Sequence, residues 1–173
     1  MRSESLADFV PRVSPQFVAP LHLAPALDVF ERIARGERVR ACISIPPQHG
    51  KTEAVLHALA WLLRRRPDWT FAFATYQQEQ SDDKSHAARD IARRAGVALS
   101  ADRANLRFWR TGDRGGCLFT AVGGPFTGQG VRAAIVDDPY KGRSEALSDA
   151  TRKHVERWFS SVECWAPRWA GST

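Results

Sequence analysis

The chain has 173 residues, of which 43% are hydrophobic and 25% charged, and its net charge is +6. This is the balance of one globular domain with a sizeable core, and it excludes a disordered or fibrous chain. No apolar run approaches the ~20 residues that cross a bilayer. Glu4 and Asp8 interrupt the start where a signal peptide would be apolar, and Cys42, Cys117 and Cys164 have neither disulfide-framework nor zinc-site spacing, so a soluble cytoplasmic protein with reduced thiols is expected. The positive charge suits a polyanionic partner. Its clusters (Arg32 to Arg40, Arg64 to Arg66, Arg93 and Arg94) each read first, taken alone, as solvated helix faces.

Residues 1–25, with Pro11, Pro15, Pro20 and Pro25, read as an N-terminal arm or a loop laid over the domain. A short helix is predicted over 26–35, with Leu27, Phe30 and Ile33 on one face and Gly36 as its stop. Val39 to Ile45 is an apolar run with β-branched residues, a buried-strand candidate. Pro46 to Gly50 can continue neither strand nor helix; beyond it Val55, Leu56, Leu59, Leu62 and Leu63 repeat at helical spacing over 51–65. Thr70 to Thr75 is the second strand, and 77–95 a helix with Ala87, Ala88, Ile91 and Ala95 inward and Gly96 as its C-terminal cap. Residues 100–116 are polar and turn-rich, Cys117 to Val122 is a third strand, and 123–130 is a loop with four glycines. Val131 to Val136 is a fourth strand ending at Asp137 and Asp138, and Ser144 is the expected N-cap of a last helix through about Phe159. Strands alternating with helices point to a parallel α/β sheet covered on both faces.

The most informative segment is Ile43 to Thr52, where a strand candidate runs into a tight loop and Gly50-Lys51-Thr52 opens a helix. A nucleotide phosphate needs that context, because backbone N–H groups curl round the oxyanions and the helix N-terminus adds partial positive charge. Gly50 lets the backbone approach a phosphate, Lys51 supplies charge to the β- and γ-phosphates, and the Thr52 hydroxyl is a Mg²⁺ ligand. The pattern departs from G-x-x-x-x-G-K-[ST] at its first glycine, which is Ile45 here. Pro47, Gln48, His49, Gly50, Lys51, Thr52 and Glu53 form the candidate nucleotide-binding set for ATP, with His49 read as a loop residue and not a ligand. Downstream, Ala133 to Val136 delivers two carboxylates at the end of a strand, where open α/β sheets bind ligands. Asp137 is assigned to Mg²⁺, and Asp138 to polarising the attacking water beside catalytic Lys51.

Taken in order, Pro46-Pro47-Gln48-His49-Gly50-Lys51-Thr52-Glu53, Gly123-Gly124-Pro125-Phe126-Thr127-Gly128-Gln129-Gly130 and Ile135-Val136-Asp137-Asp138-Pro139, with Lys141 and Glu145 following, resemble the ATPase domain of tailed-phage terminase large subunits. The resemblance takes in Phe9 to Arg12 and the helix ending Trp158-Phe159, and covers roughly residues 9–161. It implies a P-loop NTPase (RecA-like) three-layer α/β sandwich with a mostly parallel sheet, incomplete at its C-terminal end, over residues 26–161. It implies ATP and Mg²⁺ as cofactors, and a homo-oligomeric ring on the prohead, in the cytoplasm of a bacterial host, that drives double-stranded DNA inward. The portal protein and the small terminase subunit are the implied partners, with no membrane involved.

Two departures from the family pattern bear on activity. Gln129 stands where the family usually carries an arginine, a candidate for transition-state charge across a subunit interface, with Arg132 nearby. Residues 162–173 do not read as the strand that follows in the family, so a shortened chain without the C-terminal nuclease, and without cleavage activity, is expected. Other readings of the same motifs are an ATP-binding remnant without turnover and another P-loop nucleic-acid translocase. In such translocases the helix bearing Gln77, Gln78, Ser81 and Arg89 often lies near DNA or a neighbouring subunit, although a solvated face explains it as well.

Overall fold

A computed structural model describes residues 4–17, 20–125 and 130–163. Helices α1 (Leu6–Val13), α2 (Ala24–Ala34), α3 (Lys51–Arg65), α4 (Gln78–Arg94), α5 (Arg143–Leu147) and α6 (Asp149–Glu163) surround a five-stranded sheet. Its strands are β1 (Thr70–Thr75), β2 (Leu99–Ala104), β3 (Phe108–Thr111), β4 (Gly116–Ala121) and β5 (Val131–Val136), ordered β2-β3-β4-β1-β5. Central β1 pairs in parallel with β4 and with β5, while β2–β3 and β3–β4 are antiparallel. The sheet is therefore mixed, not mostly parallel. The difference lies in residues 100–116, whose polar composition concealed the hairpin made by β2 and β3.

Layering follows from the two faces of β1. Phe71 and Phe73, with Cys117 and Phe119 of β4, meet α3 and α4 on one side; Ala72 and Ala74 meet Trp158 of α6 on the other. Helix α3 runs through the main core, and Ala54 to Leu63 are all buried, so it reads as apolar on every side. Burial pushes the Cys117 thiol far above its ordinary range, so it is a poor nucleophile.

The N-terminal segment is not an arm. Ser5 caps α1 by accepting the Asp8 N–H, and Leu6, Phe9, Val10 and Val13, at helical spacing, are all buried in the main core. Pro11 lies inside this helix, so proline density concealed an amphipathic helix. The predicted strand at Val39 to Ile45 also fails to form: residues 37–46 make no ladder. Val39, Ile43 and Ile45 are half-buried while Arg40, Ala41, Cys42 and Ser44 are exposed, so the run is only partly covered. A parallel strand needs cover on both faces; this segment forms no ladder, and only its flanks are tied toward β5, Gly36 near Arg132 and Lys51 on Asp137. The last predicted helix is two, because Ser148 (ψ 120°) breaks it and its hydroxyl accepts the Thr151 N–H at the start of α6. The N-cap is thus Ser148 rather than Ser144. Gln129 and the tail from Cys164 lie outside the described residues.

If α1 is part of the core, Phe9→Ala should cost about 3–5 kcal/mol, the usual penalty for a buried aromatic. Chemical denaturation of wild type and variant checks this; a loss below about 1 kcal/mol would return residues 4–17 to the status of an arm.

Candidate functional site

The sheet geometry brings the two separate sequence signals together. Asp137 follows β5 directly, and its N–H still bonds the Ala74 carbonyl of β1 at 2.8 Å, so its position is fixed by the central strand. Lys51 and Thr52 open α3 on the same rim. The Lys51 Nζ lies 2.9 Å from Asp137 Oδ1 and 2.7 Å from Asp138 Oδ1, and the Thr52 hydroxyl donates to Asp137 Oδ2 at 2.7 Å. The two carboxylates differ in setting: Asp137 is buried, whereas the Asp138 side chain is 70% exposed. Burial of Lys51 works against its ammonium, but the hydrogen bonds and charges of Asp138 and Asp137 outweigh it and hold its pKa above the ordinary lysine range.

An open cleft of about 450 Å³ lies against this cluster. Of the predicted residues, Pro47, Gln48, Gly50, Lys51, Thr52, Glu53 and Asp138 line it, and Asp137 sits behind them on Lys51 and Thr52. His49 does not line it. Its Nδ1 donates to the Pro47 carbonyl at 2.7 Å, its own carbonyl lies 3.2 Å from His22 Nε2, and the two rings meet edge-on. The loop is held in an uncommon shape, with Gln48 (φ 63°) and Gly50 (φ 79°) in the left-handed region, and Asp138 beyond β5 is there too (φ 47°). For the two non-glycine residues that costs roughly 1 kcal/mol each, the kind of strain that clusters at functional sites.

Gly50 has a further reason to be glycine that the sequence did not show. A Cβ there would sit 3.1 Å from the Phe17 ring and 3.4 Å from Leu23. Phe17 in turn stacks on His57, which is wholly buried with Nε2 2.8 Å from the Ser14 hydroxyl and Nδ1 2.8 Å from the Glu53 carbonyl. The loop therefore rests on an aromatic floor provided by the N-terminal segment and α3.

Sequence reading also missed the far wall of the cleft, formed by Asp83, Lys84 and Ala87 of α4. Nothing local marks these residues; the register of α4 on the sheet selects them. Gln78 and Ser81, read as a solvated face or a partner surface, are structural instead: Gln78 accepts the Ala121 N–H, and buried Ser81 donates to the Thr120 carbonyl.

Thr52 Oγ1 and Asp137 Oδ2, 2.7 Å apart, suit neighbouring positions on a magnesium octahedron, whose adjacent oxygens are about 2.9 Å apart. Among the described residues no group of three or more His, Cys, Asp or Glu side chains gathers into a cage. No described helix is long and apolar enough to cross a membrane. Comparison of the chain with protein-family models and with curated proteins finds no match to either.

The Lys51 interaction has a pH signature. Its folded pKa is raised, so the stability it contributes is complete below the unfolded value of 10.5 and disappears as pH climbs through the folded one. From neutral pH up to about pH 10 the melting temperature of wild type should exceed that of Lys51→Met by a steady margin, with the gap closing above that. Adding Asp137→Asn to Lys51→Met should recover part of the loss, since the single variant strands a buried carboxylate; additive losses would mean that the two groups are uncoupled.

Proposed function

We propose that this chain is an ATP-hydrolysing P-loop domain that works on DNA, of the kind found in the large subunit of phage packaging terminases. The observation that carries the nucleotide reading is the convergence of Lys51, Thr52, Asp137 and Asp138 within 2.9 Å contacts across 85 and more residues of sequence. A salt bridge placed for stability alone explains neither the hydroxyl on Asp137 nor the left-handed loop in front of it. The terminase assignment adds the three ordered motifs of the sequence, and an α/β architecture with helices on both sheet faces is compatible with it.

In this reading the free N–H groups at the start of α3 and the Lys51 ammonium receive the phosphates. Thr52 and Asp137 would hold Mg²⁺, whose charge would offset part of that on the phosphate oxygens. Asp138 is the group available to a water: it is exposed, it sits at the cleft, and Lys51 is its one close partner among the described residues. When phosphate oxygens take over Lys51, the Asp138 carboxylate is released to accept a proton from that water. Gln129 favours a second reading, in which the chain binds ATP but turns it over poorly, because glutamine cannot supply a transition-state charge.

Lys51→Ala should abolish binding of ATP–Mg²⁺, measured by titration calorimetry; unchanged affinity would overturn the phosphate-loop assignment. Asp138→Asn should bind nearly as wild type yet hydrolyse about 10²- to 10⁴-fold more slowly, as loss of a general base does. For a DNA motor, hydrolysis should also rise with double-stranded DNA, and that stimulation should decline steeply with salt. Wild-type binding without turnover would favour the remnant.

A further inference from the structure

The far wall of the cleft carries a cation that none of the motifs includes. Lys84 is half-buried and lines the same cleft as Gly50 and Lys51. Among the described residues no carboxylate, carbonyl or ring lies within bonding distance of its ammonium. Asp83 beside it is exposed and does not pair with it. The contrast with Lys51 is informative, because that ammonium is already shared by two aspartates.

Lys84 is also held in place. Over two turns of α4, Gln78 accepts the Ala121 N–H at 3.2 Å, Ser81 donates to the Thr120 carbonyl, and Ser85 donates to the Leu106 carbonyl. These anchors set the rotation of the helix against β4 and the turn before β3, and so fix which side chains face the loop opposite. Lys84 is half-buried at the cleft and has no ion pair among the described residues, so an entering anion would find it free to pair.

The charge of the cleft makes the same demand. Its lining carries Glu53, Asp83 and Asp138 against Lys51 and Lys84, with Asp137 behind. Carboxylates outnumber cations even before a triphosphate arrives, and Mg²⁺ offsets only part of the phosphate charge. On the nucleotide-binding reading above, we infer that Lys84 is a second phosphate-contacting cation, which grips the terminal phosphoryl group from the α4 side and so distinguishes a nucleoside triphosphate from a diphosphate.

The test measures affinity, independently of turnover. ATP–Mg²⁺ and ADP–Mg²⁺ should be titrated into the full chain carrying Lys84, Lys84→Gln or Lys84→Arg, with circular dichroism melting to verify folding. The expected result is an ATP affinity about tenfold to a hundredfold weaker in Lys84→Gln, as for loss of a charge-assisted hydrogen bond, with ADP affinity changed little and ATP affinity largely restored in Lys84→Arg. Unchanged ATP affinity, or equal losses for ATP and ADP, would overturn the role of Lys84 while leaving the phosphate loop intact. A wild-type chain that binds neither nucleotide would remove the nucleotide reading, and this inference with it.

Discussion

Everything at this site turns on one ammonium group held between two carboxylates. Lys51 contacts Asp137 and Asp138 within 3 Å, and the Thr52 hydroxyl meets Asp137 from the same helix turn. These contacts join the start of α3 to the end of β5, so they also fasten the most buried helix to the strand rim. The arrangement is not symmetric. Asp137 is buried and tied to β1 through its backbone, whereas Asp138 is exposed and in a left-handed conformation. On the proposed reading, an incoming phosphate would meet one fixed partner of Lys51 and one releasable partner, which is why the two aspartates are assigned different roles.

The core is arranged to make this meeting robust. With β1 central, its C-terminal end positions Asp137 through the Ala74 carbonyl and the Val122 backbone through the Thr75 carbonyl. The same strand end holds Ser81 of α4 through the Thr75 hydroxyl at 3.0 Å. The ends of β5 and β4 and the start of α4 are therefore all referred to one strand whose six residues are all buried. Tethers reach the Gly-rich loop from the opposite face as well: Trp158 of α6 donates to the Gly124 carbonyl at 3.0 Å, and Gly123 sits against the His154 ring.

Much of this was legible in the sequence where local chemistry is strong. The helix over 51–65 and the strands 70–75 and 131–136 match the observed bounds because their apolar periodicity continues to a clear stop. Gly36 and Gly96 end their helices with positive φ as their positions suggested. The pairing of Lys51 with the aspartates was legible only by joining two motifs, since no periodicity links residues so far apart. What could not be read was set by tertiary context. The turn-rich composition of residues 100–116 hides a hairpin that pairs with the edge of β4, and the strand-like run before Pro46 forms no ladder, with Arg40 to Cys42 exposed. The Pro-rich start conceals α1, and Lys84 emerges only once Ser81 and Ser85 fix the rotation of α4.

The aromatic floor beneath the phosphate-loop candidate carries one more implication. Phe17 fills the space where a side chain at position 50 would go, and the same ring lies flat on His57, itself locked to Ser14 and to the Glu53 carbonyl. The curvature of the loop is thus templated by side chains well separated from it in sequence. Drift at position 50 and drift at position 17 are constrained together: a bulkier residue above demands a smaller one below, and a smaller ring below leaves the buried imidazole without its cover. In homologous chains these two positions should vary as a pair, and a graft of residues 46–52 alone into another scaffold would carry the amino acids of the loop without its shape.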